Sequence, residues 1–167
     1  DREYMALAYG LAAKAAGRTS PNPCVGAVLV KDGRIVGHGY HEAAGKPHAE
    51  PIALRRAGAA AAGATLYVTL EPCVHWGRTP PCIDAVLAAG VTRAVVSDRD
   101  PNPVVAGRGV ARLRRAGIET SVGLMADRNR SLNAGFIKRI TTGQPLVTLK
   151  AGLSLDGRLA TRTGEAR

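Results

Sequence analysis

The chain has 167 residues, a formal net charge of +10 and three cysteines, and 46% of its residues are hydrophobic although only 4% are aromatic. This length suits one domain whose aliphatic core is large enough to be stable without disulfide bonds. An odd number of cysteines argues against a disulfide framework, so we expect a reducing, cytoplasmic setting. No uncharged run reaches the ~20 residues that cross a bilayer, so no membrane partner is expected. The first residue is Asp1 and no signal-like stretch follows it, so we expect a trimmed start.

The positive charge favours an anionic partner, either nucleic acid or a phosphorylated small molecule. The excess consists mostly of Arg and is spread along the whole chain, without a basic cluster that alternates with aromatic residues. Surfaces that bind nucleic acid usually combine a basic groove with stacking rings. Charge distribution therefore makes nucleic acid the less favoured partner.

The first third of the chain predicts a helix, a hairpin and a second helix. Apolar residues with helical spacing predict the first helix over residues 3–16, and Gly17 ends it. Two β-branched runs, 24–30 and 34–40, predict strands, and Asp32-Gly33 between them favours a type I′ turn. A polar loop then leads to a helix that begins near His48.

The remainder alternates between strand and helix patterns. We predict strands over residues 65–70, 91–97, 118–122 and 146–151, and helices over residues 83–89, 110–116 and 127–140. A hairpin followed by repeated helix–strand units predicts an α/β layered fold with a mixed sheet. Ligands of such sheets bind at the carboxyl ends of the strands, where Glu71-Pro72-Cys73 would lie.

Four residues form a motif that indicates a hydrolytic zinc site. His48, Cys73 and Cys82 supply one imidazole and two thiols, while Glu50 is left free to move protons. Nucleobase deaminases that use zinc carry a related signature, H-x-E followed by P-C-x-x-C. A structural zinc site would need a fourth protein ligand, and His75 is the nearest candidate. Two alternatives therefore stay open: a deaminase of another nucleobase, nucleoside or tRNA, and a catalytically idle domain stabilised by zinc.

The segment between the two cysteines is longer than in that signature. Eight residues, 74–81, separate Cys73 from Cys82, so side chains on this insert would be held beside a bound substrate. His75 and Arg78 are donors suited to a phosphate group. The insert therefore favours a phosphorylated small-molecule substrate.

Several motifs together resemble one family along nearly the whole chain. They are Pro21-Asn22-Pro23-Cys24-Val25-Gly26, His48-Ala49-Glu50, Thr69-Leu70-Glu71-Pro72-Cys73, Gly77-Arg78-Thr79-Pro80-Pro81-Cys82 and the run from Asp100 to Gly109. They resemble the deaminase domain of the bifunctional riboflavin-biosynthesis deaminase/reductase family. The resemblance implies a three-layer α/β/α cytidine-deaminase-like fold and one Zn²⁺ per chain, held by His48, Cys73 and Cys82. It also implies that Glu50 carries protons and that the substrate is 2,5-diamino-6-(5-phosphoribosylamino)pyrimidin-4(3H)-one. The substrate contacts that it implies are Asn22, His41, His75 and Arg78.

The last residues resemble the opening of the same family's reductase domain. We expect a deaminase domain over residues 1–145, and over 146–167 a linker with the first strand of a truncated reductase domain. Lys150, Ser154 and Asp156 would be remnants of the second site. NADPH is expected only if a complete reductase domain were present, so no reductase activity is expected in this chain. Apolar helical surfaces make a homo-oligomer plausible.

Overall fold

The computed structural model describes residues 1–77 and 79–164, which form one mixed sheet with helices on both faces. The helices are α1 (Arg2–Ala13), α2 (Ala49–Ala57), α3 (Cys82–Ala88), α4 (Arg108–Arg115), α5 (Ala126–Leu132) and α6 (Ala134–Thr142), with a short 3₁₀ helix at Gly58–Ala61. The strands are β1 (Gly26–Lys31), β2 (Arg34–Tyr40), β3 (Thr65–Val68), β4 (Arg93–Val96) and β5 (Glu119–Val122). None of the described helices is both long and apolar enough to cross a membrane.

The sheet has the strand order β2-β1-β3-β4-β5. Strand β1 pairs antiparallel with β2 and with β3, whereas β3, β4 and β5 run parallel. In the hairpin turn, Asp32 and Gly33 both have positive φ angles, 50° and 73°, as a type I′ turn requires. The predicted hairpin and the predicted mixed sheet are therefore confirmed.

Alternation along the strands divides the core into two layers. Ala27 and Leu29 of β1 face a cluster that includes residues of α2, α3 and α4. Val28 and Val30 face the opposite cluster, which α1 supplies with Met5, Ala8 and Tyr9 and against which Leu132 of α5 packs. Because successive strand residues point to opposite faces, one short strand serves both layers. The three-layer α/β/α architecture is thus confirmed.

The single helix predicted over residues 127–140 is wrong, because two helices meet at Asn133. This residue has φ −107° and ψ 21°, outside the helical region. Its buried side chain accepts a hydrogen bond from the N–H of Cys24 at 2.7 Å and donates one to the C=O of Cys24 at 3.0 Å. The periodicity of the sequence continues through Asn133, but these bonds to a distant loop interrupt the helix.

The strand predicted over residues 146–151 is also wrong. The segment has no regular secondary structure, and Val147 and Leu149 are 79% and 90% exposed. A strand needs a neighbouring strand to satisfy its backbone groups. Within residues 1–77 and 79–164, no strand pairs with this segment.

Candidate functional site

Three side chains converge at the carboxyl end of β3. The Nδ1 atom of His48 lies 3.1 Å from Sγ of Cys82 and 3.6 Å from Sγ of Cys73. The potential ligand atoms of the three residues all lie within 4.8 Å of one another. The structure therefore brings together the three residues that the sequence predicted as metal ligands.

Two helix starts and one strand end hold these residues in place. His48 is the N-cap of α2 and Cys82 is the first residue of α3. Cys73 follows β3, and its Sγ accepts a hydrogen bond from the N–H of Cys82 at 3.2 Å. Helix α2 lies unusually close to β2, because a Cβ atom on Gly39 would stand 2.6 Å from the carbonyl oxygen of Ala49. Glycine at this position is what lets α2 bring His48 to the end of the sheet.

The cluster fits a zinc ion. Tetrahedral zinc with Zn–S bonds of about 2.3 Å and Zn–N bonds of about 2.0 Å places its ligand atoms roughly 3.5–3.8 Å apart. The observed sulfur–nitrogen separations of 3.1 and 3.6 Å are close to that range. The donor set contains three groups and no fourth ligand among the described residues. Three protein ligands are the number that catalytic zinc sites use, because a fourth position must stay open.

The electrostatics of the two thiols also suit a cation. Hydrogen bonding from Cys82 lowers the pKa of the Cys73 thiol to about 4, and His48 contributes in the same direction. The pKa of Cys82 is raised, first by its hydrogen bond to Cys73 and then by burial. Cys73 is therefore the first of the two to ionise. A divalent cation beside both sulfurs would favour the second thiolate as well.

Glu50 is a buried carboxyl group next to the cluster. It is 3% exposed, and burial raises its pKa to about 7, with the negative charge of Cys73 acting in the same direction. It lies in the first turn of α2, two residues after His48. A carboxyl group with a pKa near neutrality can both accept and release a proton at physiological pH. This is the property that a general acid–base residue needs.

A cavity of about 260 Å³ opens onto these groups. His48, Glu50 and Cys73 line it, together with residues from the loops that precede α2 and follow β4. Sequence reasoning assigned no site role to several of its lining residues, among them Lys46, Asp100, Asn102 and Phe136. Asp100 and Asn102 stood in a recognised motif without an assigned role. Lys46 and Phe136 carried no motif signal, because their place in the cavity depends on how distant elements pack.

Glu71 has a structural role that the sequence analysis did not identify. It is 3% exposed, and its carboxylate accepts hydrogen bonds from the N–H groups of Asp100, Gly107 and Val110. The last two N–H groups lie at the start of α4, where backbone donors lack intrahelical partners. Gly109 fits beside this contact because a Cβ atom there would stand 2.3 Å from the carbonyl oxygen of Pro72. Glu71 thereby fixes one wall of the cavity.

Three of the four predicted substrate contacts lie in the cavity wall. Asn22, His41 and His75 all line it, whereas Arg78 lies outside the described residues. His41 is 2% exposed, and burial lowers its pKa. The Nδ1 atom of His75 is buried and has no hydrogen-bond partner within the described part of the chain. A substrate could supply that missing partner.

The three predicted reductase remnants lie elsewhere. Lys150, Ser154 and Asp156 are exposed on the segment after α6 and do not line the cavity. Ser154 donates a hydrogen bond to Asp156, which also forms an ion pair with Arg158. The structure therefore does not bring these residues to the cluster of His48, Cys73 and Cys82.

Comparison with known proteins places this geometry in a family. The model of the cytidine and deoxycytidylate deaminase zinc-binding region matches residues 1–98, which include all three cluster residues and Glu50. The riboflavin biosynthesis protein RibD of Escherichia coli (strain K12) is 60% identical over 167 residues, which is 100% of this chain and 46% of that protein.

Solved structures agree in fold. Acinetobacter baumannii RibD has a TM-score of 0.93 at 51% identity and is matched over 99% of this chain and 47% of its own. A diaminohydroxyphosphoribosylaminopyrimidine deaminase/5-amino-6-(5-phosphoribosylamino)uracil reductase from Thermotoga maritima has a TM-score of 0.93 at 45% identity, over 98% of this chain and 48% of its own. The chain thus spans slightly less than half the length of these RibD relatives. From its matched region, its sheet and its cluster of one histidine and two cysteines, the chain belongs to the cytidine and deoxycytidylate deaminase zinc-binding family.

Proposed function

We propose that this chain is a zinc-dependent hydrolytic deaminase. Its substrate would be 2,5-diamino-6-(5-phosphoribosylamino)pyrimidin-4(3H)-one, and its products 5-amino-6-(5-phosphoribosylamino)uracil and ammonia, in riboflavin biosynthesis. One observation carries the reaction type: the cluster of His48, Cys73 and Cys82 opens into a cavity beside the buried carboxyl group of Glu50. The names of the matched relatives support the choice of substrate.

The residues of this chain would divide the work between binding and proton transfer. His48, Cys73 and Cys82 would hold one Zn²⁺, which when bound lowers the pKa of a water molecule toward ~7 and so supplies a nucleophile. A carboxylate oxygen of Glu50 would take a proton from the attacking water and give it to a ring nitrogen. Glu50 would then take the remaining proton of the attached hydroxyl group and pass it to the departing amino group, which leaves as ammonia while a carbonyl group forms. The raised pKa of Glu50 suits both transfers.

The charge of the cavity supports a phosphorylated substrate. Lys46 is the one lysine or arginine among the described lining residues, and it is exposed at the cavity mouth. Its backbone N–H donates to the carbonyl oxygen of Ala43 in a tight turn. No described carboxylate forms an ion pair with it. A phosphate group at the mouth would bind Lys46, and we propose Arg78 and His75 as further contacts.

One experiment separates this proposal from its rivals. Zinc content is measured first, and ammonia release is then followed with the diaminopyrimidine ribotide, cytidine, adenosine and tRNA as separate substrates. We expect one zinc ion per chain and turnover of the ribotide alone. Turnover of cytidine, adenosine or tRNA in its place would identify a deaminase of another substrate, and zinc binding without any turnover would identify an idle domain.

The free cysteine provides a matched control for the metal site. Cys24 is buried and unpaired like Cys82, but it does not belong to the cluster. We expect Cys82→Ser to lose both zinc and ammonia release, and Cys24→Ser to keep both. Equal zinc loss in the two variants would argue against the proposed ligand set.

The remaining assignments follow from this function. We propose residues 1–145 as the deaminase domain and 146–167 as the opening of a second, reductase-type domain. The side chains of Leu149 and Leu155 are 90% and 112% exposed. Such exposed apolar residues support the proposal that this segment packs against a second domain. Three unpaired cysteines support a cytoplasmic location.

A further inference from the structure

Phe136 is an aromatic residue that neither core layer uses. It is the single phenylalanine of a chain in which only 4% of the residues are aromatic. It lies on α6, a helix with no buried residue. Within the described part of the chain, Phe136 belongs to neither core cluster and is not among the apolar residues that pack against them. It lines the cavity instead. Its ring is therefore available to a ligand.

The break at Asn133 accounts for this position. In one continuous helix Phe136 would follow Leu132 by four residues and lie on the same face. Leu132 packs against the core cluster of α1, so an unbroken helix would direct Phe136 toward that core. The hydrogen bonds between Asn133 and the backbone of Cys24 instead hold the start of α6 against the loop before β1, which also lines the cavity. Phe136 follows this anchor by about one turn.

The proposed reaction determines which part of the substrate lies inside the cavity. The carbon that bears the amino group must reach Glu50, which is 3% exposed, whereas Lys46 is exposed at the mouth. The pyrimidine ring therefore lies inside, and the phosphate group extends toward Lys46. Among the described lining residues, Phe136 is the only phenylalanine, tyrosine or tryptophan. A planar heterocycle packs well against such a flat apolar surface.

We infer that Phe136 is a specificity-determining residue whose ring packs against the planar pyrimidine ring of the substrate. The inference rests on the proposed function, which supplies that ring. Stacking reads the face of a heterocycle and not its hydrogen-bonding edge, so Phe136 selects for a flat ring whatever its exocyclic groups. No proton passes through Phe136. Its contact is the same before and during the reaction, so it contributes to KM and not to kcat.

Three substitutions separate stacking from the filling of space. Phe136→Ala removes the ring, and we expect KM for the ribotide to rise by about tenfold with little change in kcat. Phe136→Leu keeps apolar bulk without a flat face and should raise KM by about three- to fivefold. Phe136→Tyr keeps the flat face and should stay close to the wild type. A leucine variant that binds as well as the tyrosine variant would overturn the stacking contact.

The next residue of α6 provides the matched control. Ile137 is partly buried like Phe136, but it does not line the cavity. Ile137→Ala should leave KM unchanged, and equal KM values for Ile137→Ala and Phe136→Ala would overturn the inference. Ribose 5-phosphate, used as a competitive inhibitor, tests the other part of the substrate. We expect Phe136→Ala to leave its inhibition constant unchanged. A parallel loss would place the ring against the sugar phosphate and overturn the assignment.

The single phenylalanine also permits a test that does not depend on turnover. Protein labelled with ¹³C in its phenylalanine rings gives ring signals from Phe136 alone. In the zinc-loaded protein, we expect the product 5-amino-6-(5-phosphoribosylamino)uracil to shift these signals and ribose 5-phosphate to leave them unchanged. Bound product without a shift would overturn the inference and leave the proposed function standing.

The same spectra distinguish a wrong substrate from a wrong contact. If the product does not bind to the wild type, the proposed substrate is wrong, and cytidine and adenosine are then titrated in its place. A shift of the Phe136 signals by whichever ring binds would support the stacking contact. Binding of a ring without a shift, or binding of none of these rings, would overturn it.

Discussion

The carboxylate of Glu71 accepts a hydrogen bond of 2.7 Å from the backbone N–H of Val110, which is 39 residues away in the sequence. The same carboxylate accepts bonds of 2.8 Å from Gly107 and 3.2 Å from Asp100. One buried side chain thus joins the end of β3, the loop after β4 and the start of α4. Because Asp100 and Asn102 of that loop line the cavity, Glu71 links core stability to the shape of the site.

Replacing Glu71 with Gln should destabilise the protein strongly. The amide NH₂ group would face backbone N–H groups, so at least one buried donor would lose its partner. We expect the free energy of unfolding to fall by about 2–4 kcal/mol. Denaturant titrations at saturating zinc would measure the change, with the exposed Glu42→Gln as the control. A loss no larger than that of Glu42→Gln would show that the three bonds contribute little.

Replacing Glu50 with Gln should stop catalysis without removing zinc. Gln has nearly the same volume as Glu but cannot carry the proton between water, ring nitrogen and leaving group. We expect ammonia release to fall by at least about 10²-fold, while zinc content stays at one ion per chain. The two quantities can be measured on one preparation. Substantial residual turnover with intact zinc would assign the proton transfer to another group.

Replacing Lys46 with Met should weaken the binding of the phosphorylated substrate selectively. The side chain keeps its length but loses its charge, so KM for the ribotide should rise roughly five- to tenfold. The dephosphorylated riboside should show no such change. Lys14→Met, at the exposed end of α1, is the matched control. An equal rise in KM for the ribotide and the riboside would mean that Lys46 does not contact the phosphate.

Asp100 should make the stability depend on pH. Burial, reinforced by the charge of Glu71, raises its pKa from 3.8 to about 6. The folded state therefore holds this proton more tightly than the unfolded chain, so the stabilising contribution is largest below the unfolded pKa and is lost as the pH rises through about 6. Asp100→Asn stays neutral throughout.

The variant provides the measurement for this pH effect. Between about pH 5 and pH 7.5, the free energy of unfolding of the wild type should fall by about 1 kcal/mol relative to that of Asp100→Asn. Taking the difference between the two proteins at equal zinc removes pH effects that both share. A difference that is flat with pH, or that changes in the opposite direction, would contradict the raised pKa.

Gly26 of β1, which packs against α1, and Gly10 on the exposed side of α1 should respond in opposite directions to replacement by alanine. A Cβ atom on Gly26 would lie 2.0 Å from the carbonyl oxygen of Ala8, whereas a Cβ on Gly10 would meet nothing within 4 Å. We expect Gly26→Ala to lower the free energy of unfolding by about 3 kcal/mol, and Gly10→Ala to raise it by about 0.5–1 kcal/mol. Thermal denaturation of both variants would test this. A tolerated Gly26→Ala would mean that α1 can move away from the sheet.

The features that could be predicted from sequence were those that short-range chemistry determines. Asp32-Gly33 fixes a type I′ turn by backbone preference, and the second strand runs over the predicted residues, Arg34–Tyr40. The cluster was predictable because few ligand sets combine one histidine with two cysteines and a nearby unused carboxylate. Residues 1–98 also match a family that shares this pattern.

The features that the sequence did not predict depend on long-range contacts. The break at Asn133 arises from bonds to Cys24, which is 109 residues earlier. The segment 146–151 has the alternation of a strand, but periodicity cannot say whether a pairing edge is within reach. Lys46 lines the cavity because the loop before α2 borders it, and a lone lysine in a polar loop carries no signal of that position.

The two-point contact of Asn133 with Cys24 restricts what evolution and protein engineering can place at position 133. The side chain must accept from one backbone group and donate to the other at 2.7 and 3.0 Å, and its NH₂ group also donates to Oδ1 of Asn129 at 2.8 Å. Aspartate has the same shape but no donor, and leucine has a similar volume but neither donor nor acceptor. Tolerance at this buried position is therefore set by hydrogen-bonding chemistry and not by size. In saturation mutagenesis, we expect folded variants to retain asparagine at position 133, although the surrounding apolar positions tolerate many residues.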